Sequence, residues 1–182
     1  MKKYLREYLP FAFAMLCLLS ARSSLADHYL VPSGSMENAL FAGDHVLVDK
    51  RAYGLRVPFT LEKMAPGAQP RRGDVVVFDS PADGTRLIKR VVAVGGDLVE
   101  VRGGRVRING EPEHAATLNL DYGGGPDLGP MRVPPGKLLT LGDARGNSFD
   151  GRYFGFVDEQ TIYARAVAVF FRSREGFVWR AL

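Results

Sequence analysis

From His45 to the C-terminus the apolar residues come in short, valine-rich runs broken by glycine and proline, a pattern that excludes a helical bundle. The runs at 45–48, 74–78, 87–94, 98–101, 106–108, 137–141 and 164–171 have strand length, and no convincing 3.6-residue period lies between them. The body is therefore expected to be mostly β, a compact antiparallel sheet or barrel-like domain. Its clearest local element runs from Glu100 to Arg107, where Gly103-Gly104 between two alternating segments predicts a two-residue hairpin with the arginines facing solvent. Residues 111–135 are rich in glycine, proline and acidic side chains and read as an irregular insertion or small β excursion.

Before these strands comes a different kind of sequence. Lys2, Lys3 and Arg6 precede an apolar run from Leu9 to Ala21, followed by Arg22 and Ser23-Ser24. The run is short against the roughly 20 residues that a bilayer core needs. It reads either as a removable signal peptide, with Ser24-Leu25-Ala26 as a small-x-small cleavage site, or as a permanent single-span anchor whose Arg6, Glu7 and Arg22 snorkel to the interfaces. The anchor is the preferred expectation, a transmembrane helix within residues 1–26 and a β domain over 27–182. In either case the basic flank stays cytoplasmic and the β domain lies outside.

The 182 residues, 46% hydrophobic and 24% charged, suit one such domain and its appendage. The formal charge of +4 permits an anionic partner, but the basic residues are scattered, so no nucleic-acid role is expected. A lone cysteine, Cys17, leaves no internal disulfide framework and no cysteine metal cluster.

Two stretches carry chemistry. Ser35 lies in Pro32-Ser33-Gly34-Ser35-Met36, where a glycine lets the backbone approach a substrate carbonyl, and Lys89 interrupts the apolar run Leu87-Ile88-Lys89-Arg90-Val91-Val92. A serine hydroxyl needs a base, and a lysine serves as one only when burial drops its pKa by about 3 units from its reference of about 10.4. The Ser35 N–H and the Ser33 hydroxyl are candidate oxyanion donors. Against this stand an edge-strand lysine that blocks aggregation, an ordinary loop serine, and a Ser/His/Asp triad using His28, His45 or His114. None of those histidines has a recognisable context, and no His-Glu-x-x-His spacing suggests zinc.

Taken together, four separated stretches resemble the bacterial type I signal peptidases, in the short form with one N-terminal span. They are Pro32–Met36 with Gly43-Asp44; Arg72-Gly73-Asp74 through Phe78; Ile88 through Val92 with Gly96-Asp97; and Gly142-Asp143 with Arg145, Asn147-Ser148, Asp150, Arg152 and Gly155. The resemblance implies that Ser35 is the nucleophile, Lys89 the general base and Ser33 the side-chain oxyanion donor. Ser148 would orient Lys89, and Asp143, Asp150 and Arg152 would hold the loop carrying that serine. It implies no cofactor and no metal. The substrates would be exported preproteins cut after small residues, at the surface of a phospholipid membrane, by a monomer of the bacterial inner membrane. A dedicated peptidase that processes or cyclises one substrate such as a pilin, and a membrane-tethered β binding module without activity, remain the alternatives. The chain departs from the family pattern at Asn38-Ala39, where Pro-Thr is usual, and at Ala144 and Gly151, where Asn and Ser are usual. Loss of the proline is expected to loosen the turn behind Ser35. Phe154, Phe156, Phe170, Phe171 and Trp179 read either as membrane contacts or as core.

Overall fold

The computed structural model describes residues 2–57, 63–114 and 116–182. Helix α1 (Lys2–Ser24) precedes strand β1 (Ala26–Leu30), and a single 3-10 turn, Gly34–Met36, lies between β1 and β2 (His45–Asp49). There follow β3 (Gly54–Arg56), β4 (Lys63–Pro66), β5 (Val75–Asp79), β6 (Arg86–Val94), β7 (Leu98–Arg102), β8 (Arg105–Ile108) and β9 (Glu111–Pro112). The chain then forms β10 (Leu128–Arg132), β11 (Lys137–Leu141), the one-turn helix α2 (Gly151–Phe154), β12 (Val157–Asp158), β13 (Ala164–Arg172) and β14 (Gly176–Ala181).

Eight strands make the principal antiparallel sheet, in the order β1-β2-β13-β5-β6-β11-β12, with β14 added to β13. The path has two free ends, β1 and β12, so the expected barrel-like closure is replaced by an open sheet. A smaller sheet, β10-β7-β8-β9, stands beside it, and β3 pairs with β4. All seven expected strands are present. Gly103 and Gly104 both have positive φ, 52° and 79°, as a two-residue turn between right-twisted strands requires, and Arg102, Arg105 and Arg107 are exposed. The 111–135 segment contributes β9 and β10 to the smaller sheet, so it is part of the domain's β structure.

The alternation in β6 fails for a physical reason. A register irregularity against β11 lies between Leu139 and Thr140, and it turns the two consecutive residues Val92 and Ala93 into one apolar cluster. Ile88 joins a second cluster with Val31, Met36, Leu40 and Val46, and Val91 joins a third with Val76, Phe78 and Leu138. With both faces covered, β6 is a central strand; each buried valine or isoleucine there contributes roughly 1.5–3 kcal/mol. Phe154 and Phe156 pack against this core, as the core reading expects, while Trp179 stays 68% exposed.

No helix among the described residues is long and apolar enough to cross a membrane. The side chains of Arg6, Glu7 and Arg22, on which the anchor expectation leans, lie outside the described residues. Ala26, the end of the small-x-small motif, is already paired with Asp49 in the main sheet.

Candidate active site

The loop that carries Ser35 is closed at its base by the backbone. The Val31 N–H donates to the Asp44 carbonyl and the Gly43 N–H to the Val31 carbonyl, both at 2.9 Å. Met36 and Leu40 are fully buried and fasten the 3-10 turn to the core, which leaves Ser35 only 6% exposed. Asp44 is held in turn by both nitrogens of a bidentate Arg172, at 2.8 and 2.7 Å, from the far end of β13. Neither Asp44 nor Arg172 carries a local sequence signal for this pairing.

Lys89 reaches the turn from β6, opposite Val76 of β5, and is 3% exposed. Its Nζ donates to Ser35 Oγ at 2.7 Å. Burial pushes its pKa down to about 8, against the upward pull of Asp150 and Asp143 and with a smaller downward push from Arg152. Near neutrality an appreciable fraction is therefore the free amine, able to accept the hydroxyl proton. An edge-strand lysine is excluded by the pairing of β6 on both sides.

Ser33 Oγ donates to Ser35 Oγ at 3.4 Å, so the expected oxyanion donor lies beside the hydroxyl but at the long end of hydrogen bonding. Ser148 differs from expectation. Its Oγ is buried beside Gly142 and makes no hydrogen bond among the described residues, to Lys89 or otherwise. The histidines belong elsewhere: His28 stacks on His45 at 6.2 Å, His45 meets Phe170 and Phe171, and His114 lines a separate cavity with Arg72 and Arg90. Among the described residues no group of His, Cys, Asp and Glu is arranged to hold a metal ion.

Behind the dyad the 142–152 loop is held by buried charges. Asp150 accepts from Arg152 Nε and a terminal nitrogen, both at 2.8 Å, and from the Gly142 N–H at 3.0 Å. Arg152 also donates to the Arg145 carbonyl and, at 2.6 Å, to the Gly124 carbonyl. Asp143 accepts a bidentate Arg90, at 2.9 and 2.8 Å, and Thr117 Oγ1 at 2.7 Å. Arg145, which is fully buried, bonds the carbonyls of Gly142 and Gly104 and the Glu113 carboxylate. The loop touches the Ser35 turn directly, for the Ala144 N–H donates to the Ser35 carbonyl at 3.1 Å. Arg90, Thr117 and Asn119 were not singled out by sequence. Asn119 bridges the loop through its own N–H to Asp143 and its carbonyl from Arg145.

The departures from the family pattern have local causes. Asn38 has φ 81°, which a proline ring cannot adopt. Its side chain makes long contacts of 3.4 and 3.5 Å to Leu118 and Asn119 of the 111–135 segment. A side chain at Gly151 would collide with Leu139 and the Thr140 carbonyl, so this chain has no room for the usual serine.

The signal peptidase, peptidase S26, family profile matches residues 5–171. Signal peptidase I of Leptolyngbya laminosa is 36% identical over 162 residues, covering 84% of this chain and 72% of that one. Signal peptidase I of Pseudomonas fluorescens is 34% identical over 206 residues, covering 92% and 71%. A solved signal peptidase I from Enterococcus faecalis V583 is 30% identical, covers 61% of this chain and 97% of that one, and superposes with a TM-score of 0.46. The chain belongs to the signal peptidase family, peptidase S26.

Proposed function

We propose that Ser35 and Lys89 form the catalytic dyad of an endopeptidase that removes signal peptides from exported preproteins. The observation that carries this reading is the 2.7 Å contact between Lys89 Nζ and Ser35 Oγ inside an almost fully buried site. Neutral Lys89 takes the Ser35 proton as Oγ attacks the carbonyl carbon of the scissile peptide. The protonated amine then returns that proton to the leaving amine, which departs and leaves an acyl-enzyme. Lys89 next deprotonates a water that attacks the ester, and the proton returns to Ser35 as the acid product leaves. The Ser35 N–H and Ser33 Oγ are the donors assigned to the carbonyl oxygen as charge develops on it, a role typically worth 10²–10³ in rate per donor.

The cut is assigned to follow small residues, because Ser35 is only 6% exposed and a large side chain beside it would have to displace its surroundings. Asp143, Asp150 and Arg152 position the loop that backs the dyad, and Ser148, whose buried Oγ has no partner among the described residues, is the hydroxyl assigned to orient Lys89. Residues 1–26 tether the 27–182 domain to the inner membrane with the N-terminus in the cytoplasm. Exposed Leu9, Phe11, Phe13, Leu16 and Leu19 on α1 support the tether. Processing of a radiolabelled preprotein by the detergent-solubilised enzyme tests the reading. Wild type is expected to cut at the signal-peptide junction, and Ser35→Ala and Lys89→Ala to be folded but inactive; activity surviving in Lys89→Ala would remove the proposed base.

A further inference from the structure

Along the nucleophile's turn Met36 and Leu40 point inward, and the residue after each, Glu37 and Phe41, turns outward to a different environment. The Glu37 carboxylate folds back over Gly34, where any side chain would run into it. Tyr122, brought across by the 111–135 segment, donates its hydroxyl to Glu37 Oε2 at 2.9 Å and is the one hydrogen-bond partner of that side chain among the described residues. Behind Glu37 lies a cavity of about 400 Å³ lined by Phe41, Asp44, Arg172, Arg174 and Glu175. Asp44 holds Arg172 and Glu175 pairs with Arg180 at 2.8 Å, while Arg174, exposed at the rim, has no carboxylate within ion-pair distance among the described residues. Glu37 is different: a carboxylate held by a neutral phenol, two residues from the attacking hydroxyl.

We propose that Glu37 and this cavity receive the first residues after the cut, and that they favour a cationic side chain there over an anionic one. This rests on Ser35 and Lys89 being the dyad. Glu37 caps the turn that carries Ser35, two residues beyond the attacking hydroxyl and on the outer side of the buried cluster of Val31, Met36 and Ile88. At about 3.3 Å per extended residue, the first or second side chain beyond the scissile bond comes level with Glu37. Tyr122 fixes the carboxylate without neutralising it.

Three peptides identical up to the cut, with Lys, Ala or Asp as the second residue after it, test the proposal with the full-length enzyme in detergent. For wild type, kcat/KM for the Lys peptide is expected to exceed that for the Asp peptide roughly tenfold, the equivalent of about 1.4 kcal/mol, and mainly through KM. In Glu37→Gln the ratio is expected to fall to near one, and Glu37→Asp to restore part of it. A wild-type ratio of one or less, or a ratio that persists in Glu37→Gln, would overturn the proposal. Failure of wild type to cut any of the three would instead overturn the peptidase reading and this one with it, a result distinct from cleavage without charge preference.

Discussion

Lys89 and Arg90 are consecutive on β6, and the fold treats their charges in opposite ways. Lys89 enters a site with a hydroxyl as its partner, and burial outweighs the more distant Asp150 and Asp143, so its pKa falls to about 8. For Arg90 burial also works against the charge, but the bidentate Asp143 outweighs it and holds the guanidinium above its ordinary value. The same central strand thus carries a proton acceptor on one face and a permanently charged strut on the other. What separates them is whether a carboxylate is within contact distance, since both are largely buried.

The largest effect is expected at Lys89. Lys89→Met should lower kcat/KM by about 10⁴ and at the same time stabilise the fold, because a buried amine that prefers to be neutral is gone. The sign follows from linkage: between about pH 8 and the ordinary lysine value of 10.5 the unfolded chain binds the proton and the folded chain does not, so wild-type stability rises with pH across that window. Below it the cost is full, on the order of 3 kcal/mol. Denaturant melts at pH 7 and pH 10 should show the gain of Lys89→Met shrinking at the higher pH.

Arg90→Met should do the reverse. It leaves Asp143 buried with only Thr117 as a side-chain donor and is expected to cost about 3–5 kcal/mol. The double variant with Asp143→Leu should recover much of that loss, and a double variant as unstable as the single one would erase the contrast between the two faces. A smaller effect is the pH dependence of the wild type: kcat/KM should fall about tenfold per pH unit below about 8 and level off above it. The smallest concerns Asn38, whose φ of 81° a glycine adopts freely. Asn38→Gly should be within a few tenths of a kcal/mol of wild type and Asn38→Ala about 1 kcal/mol less stable, by the cost of a Cβ in the left-handed region.

The strands and the dyad were legible because each has a local signature. Valine runs between glycines mark β5, β6, β11 and β13, and a lysine inside such a run is conspicuous. The open sheet, by contrast, depends on β1 pairing with β2 and β14 with β13: 26–30 is too short and polar for its pattern to announce a strand, and 176–181, although it holds Phe177, Val178 and Trp179, lies outside the seven valine-rich runs. The supporting network was only half legible. Asp143, Asp150 and Arg152 stand close together in sequence, but their partners Arg90, Thr117 and Gly124 come from β6 and from the segment that reads as an irregular insertion. Composition gives no hint that 117–122 is laced into the site, because those contacts are made by backbone groups and by single polar side chains across some 80 residues. Arg145 belongs to the fourth matching stretch, but its burial is not legible there, since arginine is rarely fully buried and only its three acceptors explain the exception.

The most direct test of the central claim, that the fold supplies a free amine at Lys89, is a carbon-detected NMR titration of the Lys89 side chain in the full-length protein, assigned by comparison with Lys89→Met. A midpoint near pH 8, well below that of the exposed lysines, is expected. A midpoint at the ordinary lysine value would contradict it, for Lys89 would then be an ammonium throughout the working range and Ser35 would have no base.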